Sequence, residues 1–106
     1  MREINVSQII EAVEQLCMEA NYDLNGDILE ALKEGARCEE SPNGRRVLEQ
    51  LVENAEIASA ERMAICQDTG MAVVFIEIGQ DVHITGGSLE DAVNEGVRRG
   101  YAKGFL

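Results

Sequence analysis

The chain has 106 residues, 45% apolar and 27% charged, and its 20 acidic against 9 basic side chains give a formal net charge of −11. That is enough for one small domain, and with aromatics at 4% and no Trp the core must be aliphatic. The acidity argues against nucleic acid or an anionic membrane as partner, and an anionic small substrate would need local donors, a metal or a partner chain to offset the field.

The opening Met1-Arg2-Glu3 has no apolar stretch behind it of the kind a signal peptide needs. Residues Ile9, Ile10, Val13, Leu16, Cys17 and Ala20 then recur at helical spacing, with Glu11, Glu14 and Glu19 elsewhere on the wheel. Asn5 with Gln8 predicts a capping-box start. A second helical pattern runs through Ile28, Leu29, Leu32 and Ala36 after the polar turn Asn25-Gly26-Asp27. The third opens at Ser41-Pro42, an N-cap followed by Pro at the first helical position, and carries Val47, Leu48, Leu51, Val52, Ala55 and Ala58 on one face.

The patterning then changes. Met71 to Ile76 is the longest apolar run, far too short to span a bilayer, rich in β-branched residues and bounded by Gly70 and Gly79. It predicts a buried strand, with a turn at Gly79-Gln80-Asp81 and a short returning strand over Val82-His83-Ile84. Ser88 with Asp91 opens a last helix with Leu89, Ala92, Val93, Val97 and Tyr101 inward. Gly96, Gly100 and Gly104 recur every fourth residue on it, which reads as a bare face for close helix packing. The predicted class is α+β: three N-terminal helices, a short β element at about 71–84, then a C-terminal helix, all in a single domain over 1–106.

Three cysteines, Cys17, Cys38 and Cys66, form no CxxC pair, so a secreted disulfide framework is not indicated and the cytoplasm is the expected compartment. Cys17 belongs to the buried stripe of the first helix, and Cys38 to an acidic helix end. His83 has no second His to partner it and reads as an edge residue. Arg98 and Arg99 read as surface ion-pair partners of Glu95.

The chemistry concentrates in Cys66-Gln67-Asp68-Thr69-Gly70, a polar loop between the third helix and the apolar run. By chemistry alone Cys66 is either a reactive or ligating thiol or an incidental loop cysteine. The string Ile65-Cys66-Gln67-Asp68-Thr69-Gly70, with Gly79-Gln80-Asp81-Val82 and Asn94-Glu95-Gly96-Val97-Arg98-Arg99-Gly100-Tyr101, resembles the alpha subunit of class I fumarase, in a wider group that includes the tartrate dehydratases. Asn21-Tyr22 and Ser41-Pro42-Asn43-Gly44 extend the resemblance over the whole chain.

The resemblance implies that Cys66 is one of three thiolates on a [4Fe–4S] cluster, that Gln67 and Asp68 bind the dicarboxylate substrate, and that Asp68 takes part in proton transfer. Thr69 and Gly70 inherit loop-shaping roles. It also places the other two cluster cysteines and a substrate-gripping arginine beyond Leu106, and Ala64 where the family often has Pro. The chain is then expected to be a fragment of a larger catalytic subunit, inactive alone, completed by a beta subunit or C-terminal domain in a homo-oligomer. The implied reaction is the interconversion of malate and fumarate, with tartrate or another dicarboxylate as the alternative. A non-catalytic assembly module is the competing class, and a thiol-redox protein would lack a nearby resolving cysteine.

Overall fold

The computed structural model describes every residue from Met1 to Leu106. Its elements run β1 (Arg2–Asn5), α1 (Val6–Tyr22), α2 (Gly26–Cys38), α3 (Pro42–Glu61), β2 (Val82–Thr85) and α4 (Leu89–Lys103). The α+β class and the order of three helices, a short β element and a final helix are as expected.

The helix starts follow from their caps. Asn5 accepts from the Ser7 N–H at 2.9 Å, Ser41 from the Gly44 N–H at 3.3 Å, and Ser88 from the Asp91 N–H at 3.0 Å. At α1 the bond goes to Ser7 and not to Gln8, so the expected capping box reduces to a single cap. At α4, Glu90 and Asp91 in the first turn and Lys103 in the last complement the helix dipole.

The β element differs from expectation in its partner. The run Met71 to Ile76 forms no strand, and β2 pairs in parallel with β1, in the register Arg2↔Val82 to Asn5↔Thr85. Composition marks Met71 to Ile76 as strand-forming, but a strand exists only when another backbone pairs with it. The sequence Arg2-Glu3-Ile4-Asn5 is too short and polar to announce itself, yet β2 brings it a ladder, which the Arg2 N–H bond to the Asp81 carbonyl at 2.8 Å extends.

Because β1 leads into α1 and β2 into α4, the two helices run side by side in the same direction. Gly96 packs on Val13 and the Ile10 carbonyl, Gly100 on Glu14 and Cys17, and Gly104 on Met18 and Tyr22. A Cβ at Gly96 would come within 2.6 Å of the Val13 Cβ, and one at Gly100 within 2.8 Å of the Glu14 carbonyl oxygen. The glycine face is therefore what allows the two backbones to approach. The buried Tyr22 hydroxyl donates to the Gly104 carbonyl at 3.0 Å and closes the far end.

The α2–α3 hairpin projects from this layer. It is attached where Arg62 stacks on the Tyr22 ring at 4.8 Å and pairs with Asp23 at 3.1 Å, with the Ser59 hydroxyl donating to Asp23 at 2.7 Å. The molecule measures 57 × 28 × 21 Å with a radius of gyration of 18.0 Å. A compact chain of this length would have a radius of about 13 Å. The core is correspondingly thin: Val13, Tyr22, Ala55, Ala58 and Ala92. The predicted stripes are only partly covered, with Leu16, Val47 and Leu51 exposed. No helix is long and apolar enough to cross a membrane.

Candidate functional site

The loop from Arg62 to Asp81 leaves α3 through Arg62, whose left-handed backbone (φ 56°) ends the helix. It is pinned at both ends of the Cys66 string. At the entrance the Ile65 N–H donates to the Asn21 carbonyl at 2.9 Å, and the Asn54 side-chain amide donates to the Ile65 carbonyl at 2.8 Å. The Asn21 side chain in turn donates to the Cys17 carbonyl at 2.8 Å. At the exit the Tyr101 hydroxyl donates to the Thr69 carbonyl at 3.1 Å. Elements α1, α3 and α4 thus all hold one short loop.

Between these anchors Cys66, Gln67 and Asp68 are exposed. The Cys66 thiol donates to Gln67 Oε1 at 3.4 Å, and the Asp68 N–H points at the Cys66 sulfur at 3.5 Å. Asp68 Oδ1 accepts from the Gly70 N–H at 3.0 Å, an Asx-turn that Gly70 completes at φ 61°. That conformation costs glycine little and other residues more. The turn fixes one oxygen of Asp68 and leaves Oδ2 uncommitted.

The other thiols are placed differently. Cys17 is half-buried against α4, and burial pushes its thiol up from the ordinary range. Cys38 is raised too, chiefly because its thiol donates to the Glu34 carboxylate at 3.2 Å. Metal ligation by cysteine requires the thiolate, so both shifts oppose it. No trio of His, Cys, Asp or Glu side chains converges to hold a metal. For the implied cluster the donor chemistry fits at one position: Cys66 is an accessible soft ligand, with a backbone N–H already directed at its sulfur. The chain offers that single ligand and no complete set.

No cationic side chain stands within Cys66 to Gly70. Arg62 is held by Asp23, while Arg98 and Arg99 pair with Glu95 at 2.6 and 2.8 Å, as their spacing predicted. His83 is exposed on β2. Beside the loop exit lies an apolar cavity of about 440 Å³, lined by Val13, Cys17, Thr69, Val74 and Tyr101 among others, which Cys66, Gln67 and Asp68 do not line.

The anchoring residues are what residue patterns left out. Tyr101 stands on the expected inward face of α4, but its hydroxyl bond to the loop has no sequence signature. Asn54, a polar residue one position before the buried Ala55, is the one available hint of an anchor on α3.

Comparison with known proteins accounts for nearly the whole chain. The profile described as "Fumarate hydratase (Fumerase)" matches residues 10–106. A protein of Methanocaldococcus jannaschii provisionally named L(+)-tartrate dehydratase subunit alpha is 31% identical over 87% of this chain and 33% of its own length. Escherichia coli (strain K12) "Fumarate hydratase class I, anaerobic" is 40% identical over 64% of this chain and 12% of its own length. The chain therefore spans a third or less of the length of these relatives. No solved structure matches it. With the profile running from the first helix through the Cys66 loop to the last residue, the chain belongs to the fumarate hydratase (Fumerase) family.

Proposed function

We propose that this chain supplies the Cys66 loop of an iron–sulfur hydro-lyase that dehydrates a hydroxy-dicarboxylate reversibly, malate to fumarate being the leading substrate pair. The observation that carries the reading is one loop, pinned by Asn21, Asn54 and Tyr101, that presents a soft thiol, an amide and a carboxylate side by side to solvent.

A [4Fe–4S] cluster with three thiolate ligands supplies, when bound, a Lewis-acidic iron for the leaving hydroxyl. Cys66 is the ligand this chain contributes, and the Asp68 N–H steadies its sulfur. Once the thiol no longer donates to it, the Gln67 amide is free to turn its N–H groups toward a substrate carboxylate. Asp68 holds one oxygen to the Gly70 N–H and can take up the carbon-bound proton on the other. The cationic partners that a dicarboxylate needs come from polypeptide outside these residues, as do the remaining cluster ligands.

The reading places the assembled enzyme in the cytoplasm with a beta subunit or C-terminal domain and a homo-oligomeric arrangement. Tartrate is the second reading, because the relative matched over 87% of this chain carries the tartrate dehydratase name. In the assembled enzyme, iron content and dehydration rates on malate and L(+)-tartrate should be measured for Cys66→Ser and Asp68→Asn. The first variant is expected to lose iron. The second should keep it while turnover falls about 10²–10⁴-fold, the range for a general acid–base group. Near-native turnover of Asp68→Asn would remove the carboxylate from the chemistry.

A further inference from the structure

The residues Met71 to Ile78 have the composition of a strand and none of its bonds. Not one makes a backbone-to-backbone hydrogen bond. Their exposure alternates: Met71, Val73 and Phe75 stand 86%, 67% and 92% exposed, while Val74, Ile76 and Ile78 stand at 40%, 47% and 48%. A period of two is the mark of extended chain, one face resting on the body and the other turned outward. The inner face borders a groove of about 440 Å³ shared with Ile4 and Ile84 of the sheet and Ile9, Val13 and Leu16 of α1.

The neighbouring sheet is open as well. Parallel strands ordinarily lie within larger sheets covered on both faces, and two strands alone are marginal. Here β1 and β2 stand as a parallel pair with no third strand.

The occupant can be narrowed by chemistry. A helix would cover side chains but leave the backbone groups of this segment unpaired, whereas a strand satisfies both. An anionic lipid surface is opposed by the charge of −11, and so is a second copy of the same acidic chain. The groove needs apolar side chains. Polypeptide of the right origin exists in the family, since about two-thirds of the Methanocaldococcus jannaschii relative lies outside the 33% that matches here.

We propose that Met71 to Ile78 is an open strand edge that receives an apolar β-strand from polypeptide corresponding to that unmatched part of the family. The incoming strand pairs with the backbone of 71–78 and sets apolar side chains beside Met71, Val73 and Phe75. It thereby joins the segment directly after the Cys66 loop to the polypeptide that completes the enzyme.

The test co-expresses the 106-residue chain with the unmatched part of the jannaschii relative as a separate polypeptide. A one-to-one complex is expected, with amide exchange at 71–78 slowed at least about 100-fold relative to the free chain. Val73→Pro and Val74→Pro supply the second arm. Neither removes a hydrogen bond from the free chain, so its helical circular dichroism should be unchanged. Neighbouring N–H groups of a strand point to opposite edges, so one of the two variants should weaken the complex at least about tenfold and the other less. The proposal is overturned if no complex forms, if the complex leaves exchange at 71–78 unaltered, or if both prolines are tolerated. It is equally overturned if the chain alone dimerises and protects 71–78, which would make a second copy the occupant. These readouts involve no iron and no turnover, so their failure is separable from failure of the Cys66 and Asp68 assignments.

Discussion

The Tyr101 hydroxyl, carried on the last helix, donates to the carbonyl of Thr69 at 3.1 Å and so ties α4 to the end of the Cys66 loop. The helix that holds Tyr101 is itself positioned by the glycine contact with α1, which also carries Asn21 at the loop entrance. One helix pair thus sets both ends of the loop, and a change in its spacing reaches Cys66 through two hydrogen bonds.

Removing the Tyr101 hydroxyl tests that coupling. Tyr101→Phe keeps the ring in its apolar cavity and deletes one part-buried bond, so stability should fall by about 0.5–1.5 kcal/mol. Amide exchange at Gly70, whose N–H is bonded to Asp68, should quicken while exchange within α4 stays as it was. Unchanged exchange at the loop would show that Tyr101 does not hold it.

Two glycine-to-alanine changes should act in opposite directions. Gly100→Ala drives a Cβ to 2.8 Å from the Glu14 carbonyl and 2.9 Å from the Cys17 Cβ, where backbone must shift. Despite the better helix propensity of alanine, a loss of about 1–3 kcal/mol is expected. Gly26→Ala, at the first position of α2, meets nothing within 4 Å and should raise stability by about 0.4–1 kcal/mol. Denaturant midpoints of the two variants beside the parent decide the point.

Acid should weaken α4 through Glu95. Hydrogen bonds from Arg98 and then Arg99 hold its carboxyl down to about 2 from an ordinary 4.5. A depressed carboxylate favours the folded state fully above its unfolded value, and that contribution disappears as pH falls from 4.5 toward about 2. These side chains lie at the surface, with Glu95 only partly covered and Arg98 and Arg99 exposed, so the effect is small and salt-sensitive. Thermal midpoints of Glu95→Gln should therefore fall less steeply than those of the parent across that window, and the difference should shrink in high salt.

Anaerobic reconstitution of the 106-residue chain alone is expected to yield no stoichiometric [4Fe–4S] cluster. One thiol cannot anchor a cube that takes three protein ligands, and Cys17 and Cys38, raised by burial and by the Glu34 carboxylate respectively, do not converge with Cys66 on a common point. Iron counting and visible absorbance are the measurement. A full cluster would bring Cys17 or Cys38 into the ligand set.

Features that need only neighbours along the chain are legible in the residues themselves. Ser41-Pro42 and Ser88 with Asp91 announce their helices, because a cap needs only residues within one turn. Gly96, Gly100 and Gly104 announce a bare helix face, and Cys66 to Gly70 announce a polar loop, because spacing along the chain contains both. Tertiary structure decided everything that depends on a distant partner. β2 found Arg2–Asn5 and not Met71–Ile76, since ladder bonds depend on which backbone arrives and composition does not say which. Burial followed the same rule: Val13 is covered by Gly96, while Leu16, one turn along the same stripe, is left largely exposed. Asn21, Asn54 and Tyr101 became anchors of one loop only because three helices from separate parts of the chain converge on it.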